Sequence, residues 1–345
     1  MSTDLNSAAN QFFSRREAMR PTALTWAKHL ALLAVTFCTV TIAGLLPPFG
    51  IINDIFTDLN PQTWTETFYA ILALPGAYLG ELLRATNLFL TDAAVFKYGL
   101  SFSLSLLFIL TSHEMGHYIA CRLYGVDATL PFFIPTPPLI GPAGTFGAFI
   151  KIVSPLPSHR ATFDIGVAGP IAGFVALIPV ALLGFLTYKY APSASPENLS
   201  GVIHFSDPLF FKLLGGIFGI NPELSRESNP FYAAAWLGLL VTSLNLIPSG
   251  QLDGGHAVHA VFGERIHRWT GRIAFVAMIV LSISGLYFYN SPSGILFAIL
   301  LGVMMRIRHP EPLDTTPLDF NRKIVAFLTL LIFVLCFTPF PIQIG

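Results

Sequence analysis

Hydrophobic positions along this chain fall in long unbroken runs, not in the alternation of a half-buried strand or the one-faced stripe of a soluble helix. Such runs occupy 30–46, 98–119, 165–188, 231–247, 273–289 and 324–340, with a shorter one at 294–305. An α-helix needs roughly 20 apolar residues to cross a bilayer, so the pattern predicts an all-α polytopic membrane protein of about seven transmembrane helices. One stretch departs from it. Residues 144–153, Gly-Thr-Phe-Gly-Ala-Phe-Ile-Lys-Ile-Val, are rich in aromatic and β-branched side chains and lie between Pro142 and Pro155. A strand or short β-hairpin is therefore expected near 142–155. A further apolar stretch, 67–83, has Pro75-Gly76 in its middle and is bounded by Glu81 and Arg84. It reads as a re-entrant or interfacial helix on the outer side, with an ordinary eighth span as the alternative.

Composition supports lipid as the solvent. With 53% hydrophobic and 11% charged residues and a mean hydropathy of +0.66, the chain has too little polar surface to coat a soluble globule of its length. The formal net charge of +0 gives no argument for a nucleic-acid partner; what matters is where the charges fall. Arg15, Arg16, Arg20 and Lys28 precede the first run, whereas 51–66 carries only acidic charge. The N-terminus is thus expected in the cytoplasm. The same rule places Arg122, Lys151 and Arg160 inside, then Arg265, Arg268 and Arg272, then Arg306, Arg308, Arg322 and Lys323, and seven crossings satisfy all of it.

Ser14-Arg15-Arg16 has the look of a twin-arginine signal, but no small-residue cleavage site follows, so an uncleaved anchor is expected. Cys38, Cys121 and Cys336 lie far apart and read as small apolar fillers, not as a disulfide framework or a thiolate metal site. Residues 191–229, rich in Pro, Ser and Asn, form a long polar connection too short for an inserted domain of ordinary size. The expected organisation is a basic cytoplasmic tail at 1–25 and one membrane-embedded domain at 26–345, with a core at 98–256 and additional C-terminal helices at 273–340.

Candidate chemistry sits inside the second run, as His113-Glu114-Met115-Gly116-His117. On a helix of 3.6 residues per turn the two histidines lie one turn apart on one face, so both imidazoles can bind one ion. Glu114 stands beside them, where its carboxylate can take a proton from an activated water without coordinating the metal. Three ionisable residues in an apolar helix are costly and therefore mark a functional site.

A catalytic zinc site has three protein ligands and an open position, so a third donor is needed. At the end of the fourth run the sequence reads Asn245-Leu246-Ile247-Pro248-Ser249-Gly250-Gln251-Leu252-Asp253-Gly254-Gly255-His256. Pro248 and Gly250 break a helix there, and broken backbone at membrane depth is tolerated where protein or a water-filled cavity satisfies it. The second and fourth runs cross in the same direction, which brings Asp253 to the end of the bundle where His113 and His117 arrive. Asp253 is the expected third ligand, with a helix-capping role as its alternative. His256 is a rival donor. Asn245 is a candidate contact to the substrate or its oxyanion, or else a polar cap on the broken helix end.

With both motifs in hand the chain resembles the site-2 protease family of intramembrane zinc metalloproteases. In that family H-E-x-x-H on one membrane helix and N-x-x-P-x-x-x-L-D-G on another form the active centre, and both stand here at 113–117 and 245–254. Pro131-Phe132-Phe133-Ile134-Pro135, Gly144-Thr145-Phe146-Gly147-Ala148 and Asp164-Ile165-Gly166-Val167-Ala168-Gly169-Pro170 look like the subgroup of the chloroplast ethylene-dependent gravitropism-deficient and yellow-green proteins. The resemblance runs over about 98–256. It implies one Zn2+ per chain held by His113, His117 and Asp253, with Glu114 as general base, and membrane-anchored protein substrates cut within or next to their transmembrane segments. Unlike many members, the chain has no room for a PDZ module between the third and fourth runs.

A transmembrane substrate hides its peptide groups in its own hydrogen bonds and must be unwound. An exposed strand edge within 144–153 can hold it by strand addition, or else the segment packs on the bundle and shields the metal. His159 and Arg160, which close that loop, read as a membrane-facing basic patch. Two rival functions share the His/Glu/Asp cluster: a membrane-anchored zinc peptidase cutting outside the bilayer, and an ion transporter. The first is distinguished by independence from Asp253, the second by the discontinuous-helix repeat common among transporters, which the sequence lacks.

Overall fold

The computed structural model describes residues 20–52, 63–190, 203–221, 227–306 and 312–344. The twin-arginine-like Ser14-Arg15-Arg16, and most of the N-terminal tail, lie outside them. The described residues are mostly helical. In chain order they form α1 (Ala23–Leu45), α2 (Trp64–Thr91), α3 (Ala93–Leu123), β1 (Phe132–Pro135), β2 (Thr145–Phe149), α4 (His159–Leu186), β3 (Ile203–Phe205), α5 (Leu209–Phe218), α6 (Pro230–Asn245), α7 (Asp253–Tyr289), α8 (Ser293–Met304), α9 (Phe320–Cys336) and β4 (Ile342–Ile344).

Short polar side chains start these helices by taking up amide donors that have no partner within the first turn. The Thr22 hydroxyl accepts from the Thr25 amide, Asp92 from Ala94 and Val95, Ser158 from Ala161 and Asn229 from Phe231 and Tyr232. Thr63 and Glu66 form a reciprocal capping box on α2. Among the described residues four helices, α1, α3, α4 and α7, are long and apolar enough to cross a membrane by length and composition. The remaining predicted runs fall on α6, α8 and α9, of 16, 12 and 17 residues.

The stretch expected to be a re-entrant or interfacial helix is one continuous helix. α2 runs unbroken for 28 residues through Pro75, and only Ala85 on it is buried. A proline costs one ladder bond and bends a helix, and here the ladder resumes beyond the ring. The polar connection at 191–229 also proves more structured than expected. It carries β3, which pairs with β4, and the apolar helix α5, whose Phe211 is fully buried against Phe185 and Tyr232.

At the centre of the bundle α3, α4 and α6 pack against one another. Ile109 and Leu177 both meet Gly238, and further along His113 approaches Gly173 from one side and Asn245 from the other. Residue numbers therefore rise together on α3 and α6 and fall on α4, so α3 and α6 run parallel to one another and antiparallel to α4. Lipid tails are as apolar as leucine, so such helices associate by close packing, and small residues permit it. Gly169 and Gly173, four apart on α4, do so here: a Cβ on Gly169 would overlap the His117 ring, and one on Gly173 would lie 3.1 Å from the His113 Cβ.

The expected β region is present, as strand β2 paired antiparallel with β1, Phe132 facing Phe149 and Phe133 facing Ala148. α1 holds this sheet: His29 Nδ1 lies 2.8 Å from the Pro131 carbonyl and the Thr39 hydroxyl donates to the Gly144 carbonyl at 2.8 Å.

Beyond α6 the chain departs from the expected loop. α7 begins at Asp253 itself and kinks at Gly263 (φ +80°), so Arg265, Arg268 and Arg272 sit on a helix. Gly263 has open space where a Cβ would go, so glycine is required there by its backbone angle and not by crowding. The C-terminal helix is fastened to the core by Arg322, which donates to both Asp164 oxygens (2.9 and 2.6 Å), to Tyr124 Oη and to Asp319. Burial, with the Asp164 carboxylate beside it, pushes the Tyr124 phenol up, so it stays protonated and donates to Asp164.

Candidate active site

Helix periodicity alone places His113 and His117 on one face of α3, and the structure turns both Nε2 atoms to one point, 3.1 Å apart. Asp253 Oδ2 joins them at 3.2 Å from His113 Nε2 and 3.3 Å from His117 Nε2. Four ligand atoms at zinc distances of roughly 2.0–2.1 Å in a tetrahedron stand about 3.3–3.4 Å apart. The three donors thus outline one face of such a tetrahedron, and they form a group that could hold a metal ion. Two imidazoles and a carboxylate are also a donor set that zinc accepts.

The groups are placed by their backbones. His117 Nδ1 lies 2.7 Å from the Ile165 carbonyl, which fixes the ring with Nε2 as the electron-pair donor, the usual support of a ligating histidine. The ring reaches that carbonyl because α4 presents Gly169 where a side chain would overlap it. Asp253 opens α7 with Leu252 as N-cap and no side-chain cap on the helix. Its carboxylate faces the histidines, not its own amides, and the capping alternative is not what the structure shows.

Glu114 is buried, with Oε1 4.0 Å from His113 Nε2, and lines the same cavity as Ile150, just after β2. Asn245, the last residue of α6, sets Nδ2 3.3 Å from His113 Nε2. All five residues line one cavity of ≈ 530 Å³, walled on the far side by Phe149, Ile150 and Lys151.

His256, the rival donor, also lines this cavity but stands outside the three-donor group. His159 is not on an outward basic patch. Opening α4, it points its ring edge-on at His259, with centroids 5.7 Å apart; Arg160 alone is exposed. Sequence reasoning missed the surrounding groups, the Ile165 carbonyl, Gly169, Gly173 and the Ile150 side of the cavity wall. A Gly-x-x-x-Gly pair beside a proline in an apolar helix was the available signal for the first three.

A membrane-helix bundle with an H-E-x-x-H helix, a remote aspartate and a shared buried cavity defines a metallopeptidase-type centre. Residues 101–285, more than half of the chain, match Peptidase family M50, and the chain belongs to that family, the site-2 proteases. It is 33% identical over 188 residues to "Probable zinc metalloprotease EGY2, chloroplastic" of Oryza sativa subsp. indica, covering 52% of this chain and 32% of that protein. It is 34% identical over 160 residues to "Probable zinc metalloprotease EGY1, chloroplastic" of Oryza sativa subsp. japonica, covering 44% and 26%. Against "Probable zinc metalloprotease EGY1, chloroplastic" of Arabidopsis thaliana it is 28% identical over 240 residues, covering 67% and 41%. The chain spans about a third of the length of these curated relatives. Zn2+ is the metal the family implies, and the donor set fits it.

Proposed function

We propose that this chain is an intramembrane zinc metalloprotease that hydrolyses peptide bonds within or next to transmembrane segments of membrane-anchored proteins. The observation that carries the reading is the meeting of His113, His117 and Asp253 within 3.3 Å of one another, beside a buried Glu114, in a cavity inside a bundle of membrane-length helices.

His113, His117 and Asp253 are assigned as the ligands of one zinc ion. The ion supplies a Lewis acid that polarises a peptide carbonyl and makes a water molecule acidic near neutral pH. Glu114 accepts the proton of the attacking water on its carboxylate and passes it to the departing amine nitrogen, so that one group serves as base and then as acid. Asn245 directs its amide at the same cavity and donates to the oxyanion that forms as the carbonyl is attacked.

Substrate enters as an unwound strand on the free edge of β2. Main-chain pairing there offers the exposed peptide groups the partners they lose when the helix opens. β2 suits this because it has one partner strand, and its Phe149 lies on the cavity wall. In the bilayer the seven predicted runs cross, α2 lies at the outer interface, and the N-terminus and the metal-bearing end of the bundle face the cytoplasm. This orientation is supported by the arginines and lysines that cluster at that end. Residues 26–345 act as the membrane-embedded unit, with 98–256 as its catalytic core.

The test uses the purified full chain in detergent with a membrane-helix substrate carrying helix-breaking residues. Wild type cleaves it, the activity vanishes with a chelator and returns with zinc, and Glu114→Gln retains zinc but loses cleavage. Cleavage by Glu114→Gln at the wild-type rate would overturn the reading.

A further inference from the structure

Beyond its kink α7 carries an apolar face on which Ile273, Val276, Val280 and Ile283 are all exposed. On a membrane helix such a face is ordinary and calls for nothing more than hydrocarbon. The groove beside it is different. α7 and α8 enclose a cavity of ≈ 740 Å³ walled by Phe275, Ile279, Ile299 and Val303, with Arg306 at one end. Among the described residues no acidic side chain lines it.

The shape of the groove follows from small residues. The two helices close on each other at two points: a Cβ on Gly294 would lie 2.7 Å from the Ser282 Cα, and one on Gly302 would lie 3.2 Å from the Phe275 ring. Residue numbers therefore fall on α8 as they rise on α7, so Arg306, a turn beyond Gly302, arrives a turn before Phe275, at the level of Arg272. The Arg272 guanidinium stands over the exposed Trp269 ring, 5.4 Å from its centroid. Glu264, earlier on α7, does not neutralise this end, because Arg268 engages its carboxylate at 3.2 Å. One end of an apolar groove thus carries two guanidinium groups and an indole, the residues that mark the level where hydrocarbon gives way to headgroups.

Charge decides the occupant. An apolar helix lying in the groove would leave Arg306 without a partner, whereas a phosphodiester joined to an acyl chain fits both parts, the chain along Ile279 and Val303 and the phosphate on the guanidinium fork. A choline headgroup would bring a cation among the arginines, so a net negative headgroup fits better.

We propose that the groove between α7 and α8 binds one anionic phospholipid, with its phosphate at Arg306 and Arg272. The site lies behind the loop that carries Asp253. A Cβ on Gly250 would lie 2.6 Å from the Met304 carbonyl oxygen, and Ile247 and Leu252 pack with Phe275, Phe297 and Leu301. A bound chain braces α8 against that loop, so the lipid steadies the end of the bundle where α7 begins.

The test titrates the purified full chain in detergent with dioleoyl phosphatidylglycerol or dioleoyl phosphatidylcholine, read by native mass spectrometry. Wild type should hold one phosphatidylglycerol about tenfold or more tighter than phosphatidylcholine. Arg306→Gln, a change at an exposed side chain, should erase that preference. Ile299→Trp, which fills the groove from its open side, should weaken phosphatidylglycerol by about tenfold or more. Melting curves add a second readout: phosphatidylglycerol should raise Tm in wild type and not in Arg306→Gln, since a ligand stabilises the fold that binds it. Equal affinity of wild type for the two lipids, or phosphatidylglycerol affinity unchanged in either variant, would overturn the site. Displacement by glycerol phosphate at the same concentration would make a free phosphate ester the ligand, and crosslinking of Ile299→Cys between two chains in membranes would put a second copy in the groove; each result would overturn the lipid.

Discussion

His113 Nε2 and Asp253 Oδ2, 140 residues apart in the chain, lie 3.2 Å from each other. That contact joins α3 to the first residue of α7 and brings together the two halves of the candidate metal centre. Replacing Asp253 by Ala should reduce bound zinc by well over tenfold in affinity, since even residues that merely support a ligand are worth about 10–100-fold. Cleavage should fall with it, while the helical content stays unchanged. Elemental analysis alongside circular dichroism reads both; zinc held as tightly as in wild type would remove Asp253 from the ligand set.

Gly169→Ala puts a methyl group into the space of the His117 ring. α4 is fixed against α3 over its length, so the ring gives way and loses the Ile165 carbonyl. The expected result is weaker zinc binding, by about 10–100-fold as for loss of a supporting partner. Gly173→Ala, whose new atom meets the His113 Cβ at 3.1 Å, should be milder. Equal zinc affinity in Gly169→Ala and wild type would show that α4 is not a support for the ligand.

Asn245→Ala separates two roles. An amide that donates to the developing oxyanion is worth about 100-fold or more in kcat, with KM and zinc content little changed. An amide that only finishes α6 would instead lower thermal stability and leave kcat intact. Steady-state kinetics on a peptide substrate, with a melting curve for each variant, tells them apart.

Photo-crosslinkers placed along β2 should map the substrate. Phe146 is 66% exposed and lies on the strand proposed to pair with it, so a crosslinker there should trap an uncleaved membrane substrate in Glu114→Gln. Leu24, equally exposed on α1 at 65%, serves as the control. Equal trapping at both sites would end the strand-addition proposal.

Arg322→Lys keeps the charge but cannot span both Asp164 oxygens as a guanidinium does. With the two side chains 25% and 28% exposed, the loss should be about 1–3 kcal/mol of stability, and α9 should become more open to protease than α3. Unchanged melting would show that the Arg322 contacts do not hold α9.

Local physics made part of this protein legible without a fold. The i, i+4 spacing of His113 and His117 follows from one helical turn, and apolar runs reveal membrane-length helices because lipid leaves backbone groups no partner outside the segment. The strand at Thr145–Phe149 showed in its composition, but its partner, Phe132–Pro135, did not, since pairing is decided across a loop. The continuity of α2 through Pro75 was not legible, because a Pro-Gly pair breaks a helix on average. The helix that starts at Asp253, kinks at Gly263 and goes on was not read from the sequence, because its glycines mask the helical pattern.

The sequence by itself determined which donors are present, how the two histidines are spaced and which segments are apolar enough for lipid, since these depend on residues within a turn or two of each other. Only the tertiary structure decided that Asp253, not His256, completes the three-donor group, that a carbonyl on α4 fixes His117, and that α7 and α8 enclose a groove ending at Arg306. Those outcomes depend on how closely whole helices approach, and glycines on a neighbouring helix, not the donors' own sequence neighbours, set that distance.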